Sequence, residues 1–148
     1  MWKGRSLMTY GEKHGEVAIN AVELYEHYKT IGDDISPKEA WEKATPKTFN
    51  SVTPGKPKDC ATAAFLGLCE NGDIIGIPEP PDGSRYTTSI KNKQDAIDAV
   101  KILRKHARYR DDPDSLWKKL PNKPRTHNNQ MHVVTALWKA GLIKRRKM

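Results

Sequence analysis

A mainly α-helical protein with small β-hairpins, built from two degenerate copies of one unit packed as one compact body, is what three features of this sequence indicate. The chain repeats itself in order. Its apolar residues recur at helical spacing, and capping residues, prolines and glycines mark where helices start and stop. At 148 residues it has room for one ordinary domain, or for two very small ones that share a core.

The repeat sets the organisation. "AINAVEL" from Ala18 returns as "AIDAVKI" from Ala96, an offset of 78, and Asp33-Asp34 returns as Asp111-Asp112 at the same offset. Trp41 of "AWEKATP" then pairs with Trp117 of "LWKKLP", and Pro46 with Pro121. "LGLCENGDIIG" pairs with "VTALWKAGLIKR", matching Gly72 to Gly141 at offset 69. Order is kept while spacing shrinks, as a duplicated unit that lost loop residues would show. The expected division is an N-terminal extension over 1–14, a first helical repeat with a hairpin over 15–90, and a second, basic repeat over 91–148.

The first helix of each copy is read from Ala18, Ala21, Val22 and Tyr25, and from Ala96, Ala99, Val100 and Leu103, at i, i+3, i+4, i+7. Asn92, with Asp95 three residues on, is a start signal for the second of these. "SPKE" opens the second helix with Ser36 as N-cap, Pro37 at N1 and Glu39 at N3, a capping box. "DPDS" repeats the cap and the proline through Asp112 and Pro113. Pro46 and Pro121 are expected to end these short helices. A basic, turn-rich link follows, "TPGKPKD" in one copy and "NKPRTHNN" in the other.

The third helix is expected to be capped by Asp59 in the first copy and by Asn128 or Asn129 in the second. Its apolar stripe runs through Ala61, Ala64, Phe65, Leu68 and Cys69, and then through Val133, Ala136, Leu137 and Ala140. Gly72 and Gly141 stand where a helix end takes a left-handed residue. After Gly72, "DIIGIPEPPDGSRYTT" predicts strand, turn and strand. After Gly141, "LIKRR" predicts a single strand. Contact between the copies is expected through their Trp41 and Trp117 faces.

Charge divides unevenly. Residues 1–78 hold nine Lys/Arg and eleven Asp/Glu, while residues 79–148 hold seventeen and seven, so the net +8 resides in the second half. That segregation points to a polyanion-facing half. The longest uncharged apolar run, "ATAAFLGLC", is too short for a membrane span, and the start of the chain has no apolar leader, so no membrane association and a cytoplasmic setting are expected.

Enzyme signatures are missing from the sequence. No acidic residue is followed two positions later by lysine, the arrangement a Mg²⁺-dependent nuclease of the Asp/Glu-x-Lys type needs. "HNNQMH", with His127 and His132, lacks the spacing of a His-Asn-His nuclease. Cys60 and Cys69 fall on opposite sides of one helix and form no Cys-x-x-Cys unit, so burial is their expected role. His14, His27 and His106 read as scattered surface residues. There is no phosphate loop or dinucleotide fingerprint, and no catalysis, cofactor or metal is expected.

Three helices followed by a hairpin resemble the winged helix-turn-helix layout, and "ALWKAGLIKRR" resembles the end of its recognition helix and the start of its wing. The whole chain, above all "YGEKHGEVAINAVEL" and "CATAAFLGLCENGDIIGIP", also resembles an uncharacterised family of small bacterial proteins, to which no activity attaches. The winged-helix resemblance implies that the first turn of the second copy's third helix reads base edges: Asn129, Gln130 and His132, with Thr135 and Lys139 beyond them. Lys123 and Arg125 before the helix, and Lys144, Arg145, Arg146 and Lys147 after it, would grip phosphates. "KILRKHARYR" places Lys101, Arg104, Lys105 and Arg108 on one face of the second copy's first helix, read as a solvated face.

The resulting expectation is a non-catalytic nucleic-acid-binding protein, with double-stranded DNA first and RNA as an alternative. A second alternative is a protein-interaction adaptor that docks on a nucleic-acid enzyme. The near-neutral first copy, with its acidic "EVAINAVELYEHYK" helix, is compatible with a docking surface or a homodimer contact.

Overall fold

The computed structural model describes residues 9–49, 57–121 and 129–145. Among these residues six α-helices follow one another: α1 (Tyr10–Thr30), α2 (Pro37–Thr48), α3 (Asp59–Glu70), α4 (Ile90–Lys105), α5 (Pro113–Lys118) and α6 (Gln130–Lys139). Short 3-10 turns lie at Pro81–Gly83 and Ala107–Asp111. Both α1 and α4 start a few residues earlier than expected, α1 inside the presumed extension and α4 before the second repeat.

Local chemistry explains most boundaries. Thr9 caps α1 through a reciprocal box with Glu12, the Thr9 Oγ1 accepting from the Glu12 amide at 3.1 Å. Ser36 and Glu39 form the expected box on α2, and Asp112 accepts from the Ser115 amide at the start of α5. Ser36→Ala removes one bond that satisfies an otherwise unpaired helix amide, and should cost about 1 kcal/mol in urea unfolding. A loss near zero would show that α2 does not depend on its cap.

Several expected boundaries are corrected. Pro46 lies inside α2, which continues to Thr48. Asp59 is the first residue of α3 rather than its cap, and Asn92 lies within α4, two residues past its start. Asn129 precedes α6 with φ 70°, and its side chain makes no capping bond. A side chain caps when its residue is extended, and the left-handed turn at Asn129 directs it elsewhere. His14 is fully buried on α1: its Nδ1 donates to the Tyr10 carbonyl at 2.8 Å, and its Nε2 accepts the Lys58 amide at 3.1 Å. Burial holds this ring's pKa below the ordinary histidine value, against the pull of the Tyr10 and Gly11 carbonyls.

The expected hairpin over 73–88 does not form. Among the described residues the β pairing is an isolated antiparallel bridge between Ile74 and Ile143. The segment behind Ile77 instead folds as a strap over α3, fixed where buried Glu70 accepts the amides of Tyr86 (2.7 Å) and Thr87 (3.3 Å) and pairs with Lys93. Pro78, Pro80 and Pro81 explain the outcome, because they remove the amides a second ladder would need.

That bridge reveals how the two copies combine. Ile74 and Ile143 are equivalent at offset 69. The Ile75 amide donates to the Leu142 carbonyl at 2.8 Å, and its counterpart, the Lys144 amide, donates to the Asp73 carbonyl at 2.9 Å. Both third helices close with the same pair of bonds. Gly72 to Cys69 and Asp73 to Leu68 are matched by Gly141 to Trp138 and Leu142 to Leu137. Gly72 and Gly141 share φ 75°, a left-handed turn that favours glycine. A local pseudo-two-fold axis therefore passes through the bridge.

Helix packing obeys the same relation. The first helix of each copy packs on the third helix of the other, α1 on α6 and α4 on α3, while α3 and α6 meet at the centre. At the α1–α6 crossing, a Cβ on Gly15 would stand 2.5 Å from the Ala136 Cβ; at the α3–α4 crossing, one on Gly67 would stand 2.7 Å from the Lys93 Cα. These are equivalent places, since Gly15 corresponds to Lys93 and Gly67 to Ala136. Trp41 packs on Phe65 of its own copy, ring centroids 5.1 Å apart. A single core joins Val17, Phe65, Leu68, Ile74, Leu103, Leu137 and Ile143. No helix among the described residues is long and apolar enough to cross a membrane.

Candidate nucleic-acid interface

The position of α6 decides which predicted residues can face a ligand. This helix packs against α1, α3, α4 and α5, so its first turns are enclosed. Gln130 is 2% exposed, and its Nε2 donates to the Asn92 Oδ1 at 3.0 Å. Thr135 is 3% exposed and bonds back to the Met131 carbonyl at 2.8 Å. His132 lies half-buried with its ring against Gly11, and burial lowers its pKa although Asp114 and Glu12 pull upward. Asn129 is half-exposed. The expectation that α6 offers its first turn to a groove is therefore corrected: Gln130 and Thr135 serve internal contacts, as core positions of a central helix must.

Lys139, Lys144 and Arg145 are exposed. Lys123, Arg125, Arg146 and Lys147 lie outside the described residues. Lys139 pairs loosely with Asp111 at 3.7 Å. The bridge sets Lys144 and Arg145 beside the end of α4. There Arg104 donates through Nε and Nη2 to the Lys144 carbonyl at 3.1 and 2.8 Å, and through Nη2 to the buried Asp73 carboxylate at 3.2 Å. The Arg145 guanidinium lies 3.9 Å over the Trp138 ring and donates to the Trp138 carbonyl at 3.1 Å.

A second group of cations surrounds Tyr109 in the 3-10 turn after α4. Arg108 stacks on its ring at 4.7 Å, and the Lys119 ammonium lies 5.9 Å from the same ring. Arg108 is thus part of this turn and not of α4, which ends at Lys105. Lys101 and Lys105 on α4, and Lys118 on α5, are exposed as well. Sequence reasoning treated the α4 cations as a solvated face and passed over Tyr109. One signal was available: at offset 78, Glu23 becomes Lys101 and Glu26 becomes Arg104, a charge inversion on shared scaffold.

Chemistry beyond charge is sparse. Among the described residues no group of three His, Cys, Asp or Glu side chains is arranged to hold a metal ion. Cys69 is fully buried, and burial pushes its thiol pKa well above the usual range. A reactive thiolate needs the opposite shift.

These features define a mainly helical protein that exposes cations on α4, on α5 and the turn between them, and on the segment after α6. The chain belongs to the family of unknown function DUF6979, whose model matches residues 11–144. No curated protein matches the chain. No solved structure matches it either.

Proposed function

We propose that the chain is a non-catalytic nucleic-acid-binding protein that holds double-stranded DNA by its phosphates. The observation that carries this reading is the convergence of cations from three elements. The end of α4, the Tyr109 turn with α5, and the segment after α6 together present Lys101, Lys105, Arg108, Lys119, Lys144 and Arg145. Arginines fixed on aromatic rings keep donors available while losing less conformational freedom on binding, which suits phosphate contacts. Backbone gripping of this kind is salt-dependent and indifferent to sequence. The finer winged-helix docking mode is set aside, because Gln130 and Thr135 are spent inside the protein.

Fluorescence anisotropy with a short DNA duplex across a salt series tests the proposal. Affinity is expected to fall steeply with salt, and each of Lys144→Ala and Arg108→Ala should flatten the slope of log K against log salt by about one. Random and unrelated duplexes should bind alike. No binding at low salt, or tighter binding to duplex RNA than to DNA, overturns it.

A further inference from the structure

We infer that the surface centred on the Ile74–Ile143 bridge is a docking face for a second copy of this chain, in a closed two-fold dimer. Three observations meet there. Ile75, next to the bridge, is a large apolar side chain that is 49% exposed. On one side Glu26 of α1 reaches the strap, its Oε2 lying 3.9 Å from where a Cβ would stand on Gly76, and exposed Glu23 is one turn away. On the other side Arg104 of α4 anchors to Asp73 and to the Lys144 carbonyl, with exposed Lys101 one turn before it and exposed Lys105 next to it.

The internal pseudo-symmetry makes this face self-complementary. Glu23 and Glu26 occupy on α1 the positions that Lys101 and Arg104 occupy on α4, so acidic and basic flanks have the same backbone shape on opposite sides of the bridge. A two-fold axis lying in the interface, across the line joining the flanks, turns acidic flank onto basic flank twice and places the bridge, with Ile75 and Lys144 on either side of it, at the centre. Opposite charges thereby meet at both edges. A partner of another kind would need to reproduce both charge signs at this spacing, whereas this chain already carries them.

The inference does not rest on nucleic-acid binding, although Lys144 borders both surfaces, and its test uses the protein alone. Sedimentation velocity across a concentration series should show monomer passing to dimer and stopping there, with the dimer weakened by salt. Two double variants make the decisive comparison, each first checked by circular dichroism: Glu23→Lys with Glu26→Lys, and Lys101→Glu with Lys105→Glu. Each alone should weaken the dimer about tenfold or more. An equimolar mixture should restore a one-to-one complex, because flanks made more positive in one variant then face flanks made more negative in the other. Wild-type protein that stays monomeric, or that grows beyond a dimer, overturns the proposal. So does a folded pair of variants whose mixture fails to associate. If either variant fails to fold, Ile75→Lys in the wild-type background must itself abolish the dimer.

Discussion

Valine in place of Gly15 is expected to destabilise the protein by about 3 kcal/mol, or roughly 6–12 °C in Tm for a chain of this length. Gly15 lies where α1 crosses α6, and even a methyl group there would stand 2.5 Å from the Ala136 Cβ and 2.9 Å from the His132 carbonyl oxygen. Neither neighbour is a flexible side-chain end, so the helices must separate and the core beneath them loses contacts. The better helix propensity of valine offsets only about half a kcal/mol of that. Gly67→Val should cost a similar amount at the equivalent α3–α4 crossing, where backbone and Cβ of Lys93 both lie 2.7 Å away. A double-mutant cycle isolates the contact. Gly15→Ala combined with Ala136→Gly should recover part of the loss from Gly15→Ala alone, because the Cβ–Cβ clash disappears while the His132 carbonyl remains. Thermal unfolding that leaves Gly15→Val as stable as the parent would show that the crossing is not this close.

Asp95→Val should have the opposite sign. Asp95 is 6% exposed on α4, and its Oδ2 has no hydrogen-bond partner. The equivalent position of the first copy is Val17, fully buried in the core. Burial raises the Asp95 pKa above the usual aspartate value, ahead of the opposing influence of Lys91. A carboxyl group whose pKa is raised on folding binds its proton more tightly when folded, so stability falls as pH climbs from the unfolded value through the folded one. Above the folded-state pKa the protein therefore carries a buried carboxylate whose Oδ2 is without a hydrogen-bond partner among the described residues. Replacement by valine should stabilise it by about 1–2 kcal/mol, or about 3–6 °C in Tm. The gain should shrink as pH is lowered toward the ordinary aspartate pKa of 3.8, where the wild-type group becomes neutral. A gain independent of pH would mean that packing, not charge, is responsible; a loss would mean that the carboxylate has a role in the fold.

Much of the architecture was legible because it is local. The Ser36–Glu39 box, the Asp112 cap and the left-handed Gly72 and Gly141 each depend on residues within one helical turn. The bridge between Ile74 and Ile143 joins residues that stand at matching positions of the sequence repeat. Where the reading erred, a distant partner intervened. Asn92 resembled a helix start but lies inside α4, bonded to Gln130 from 38 residues away. His14 resembled a surface residue but receives the Lys58 amide, 44 residues on.

For the candidate interface the division follows the same line. Composition and order placed the positive charge in the second half and made Lys144 and Arg145 suspects, because charge is carried by the residues wherever they fold. Periodicity also showed that α6 has an apolar stripe, but not that neighbours enclose its polar side too. That follows from the exchange of first helices between copies, which puts α1 on one flank of α6 and α4 on another. Enclosure turned Gln130 and Thr135 from readers of a ligand into internal hydrogen-bond partners, and it brought Arg104 to the Lys144 carbonyl. Helix starts, stops and net charge need only neighbours in the chain. Which polar residue meets water depends on packing between segments far apart in it, and one sequence carries no local mark of that.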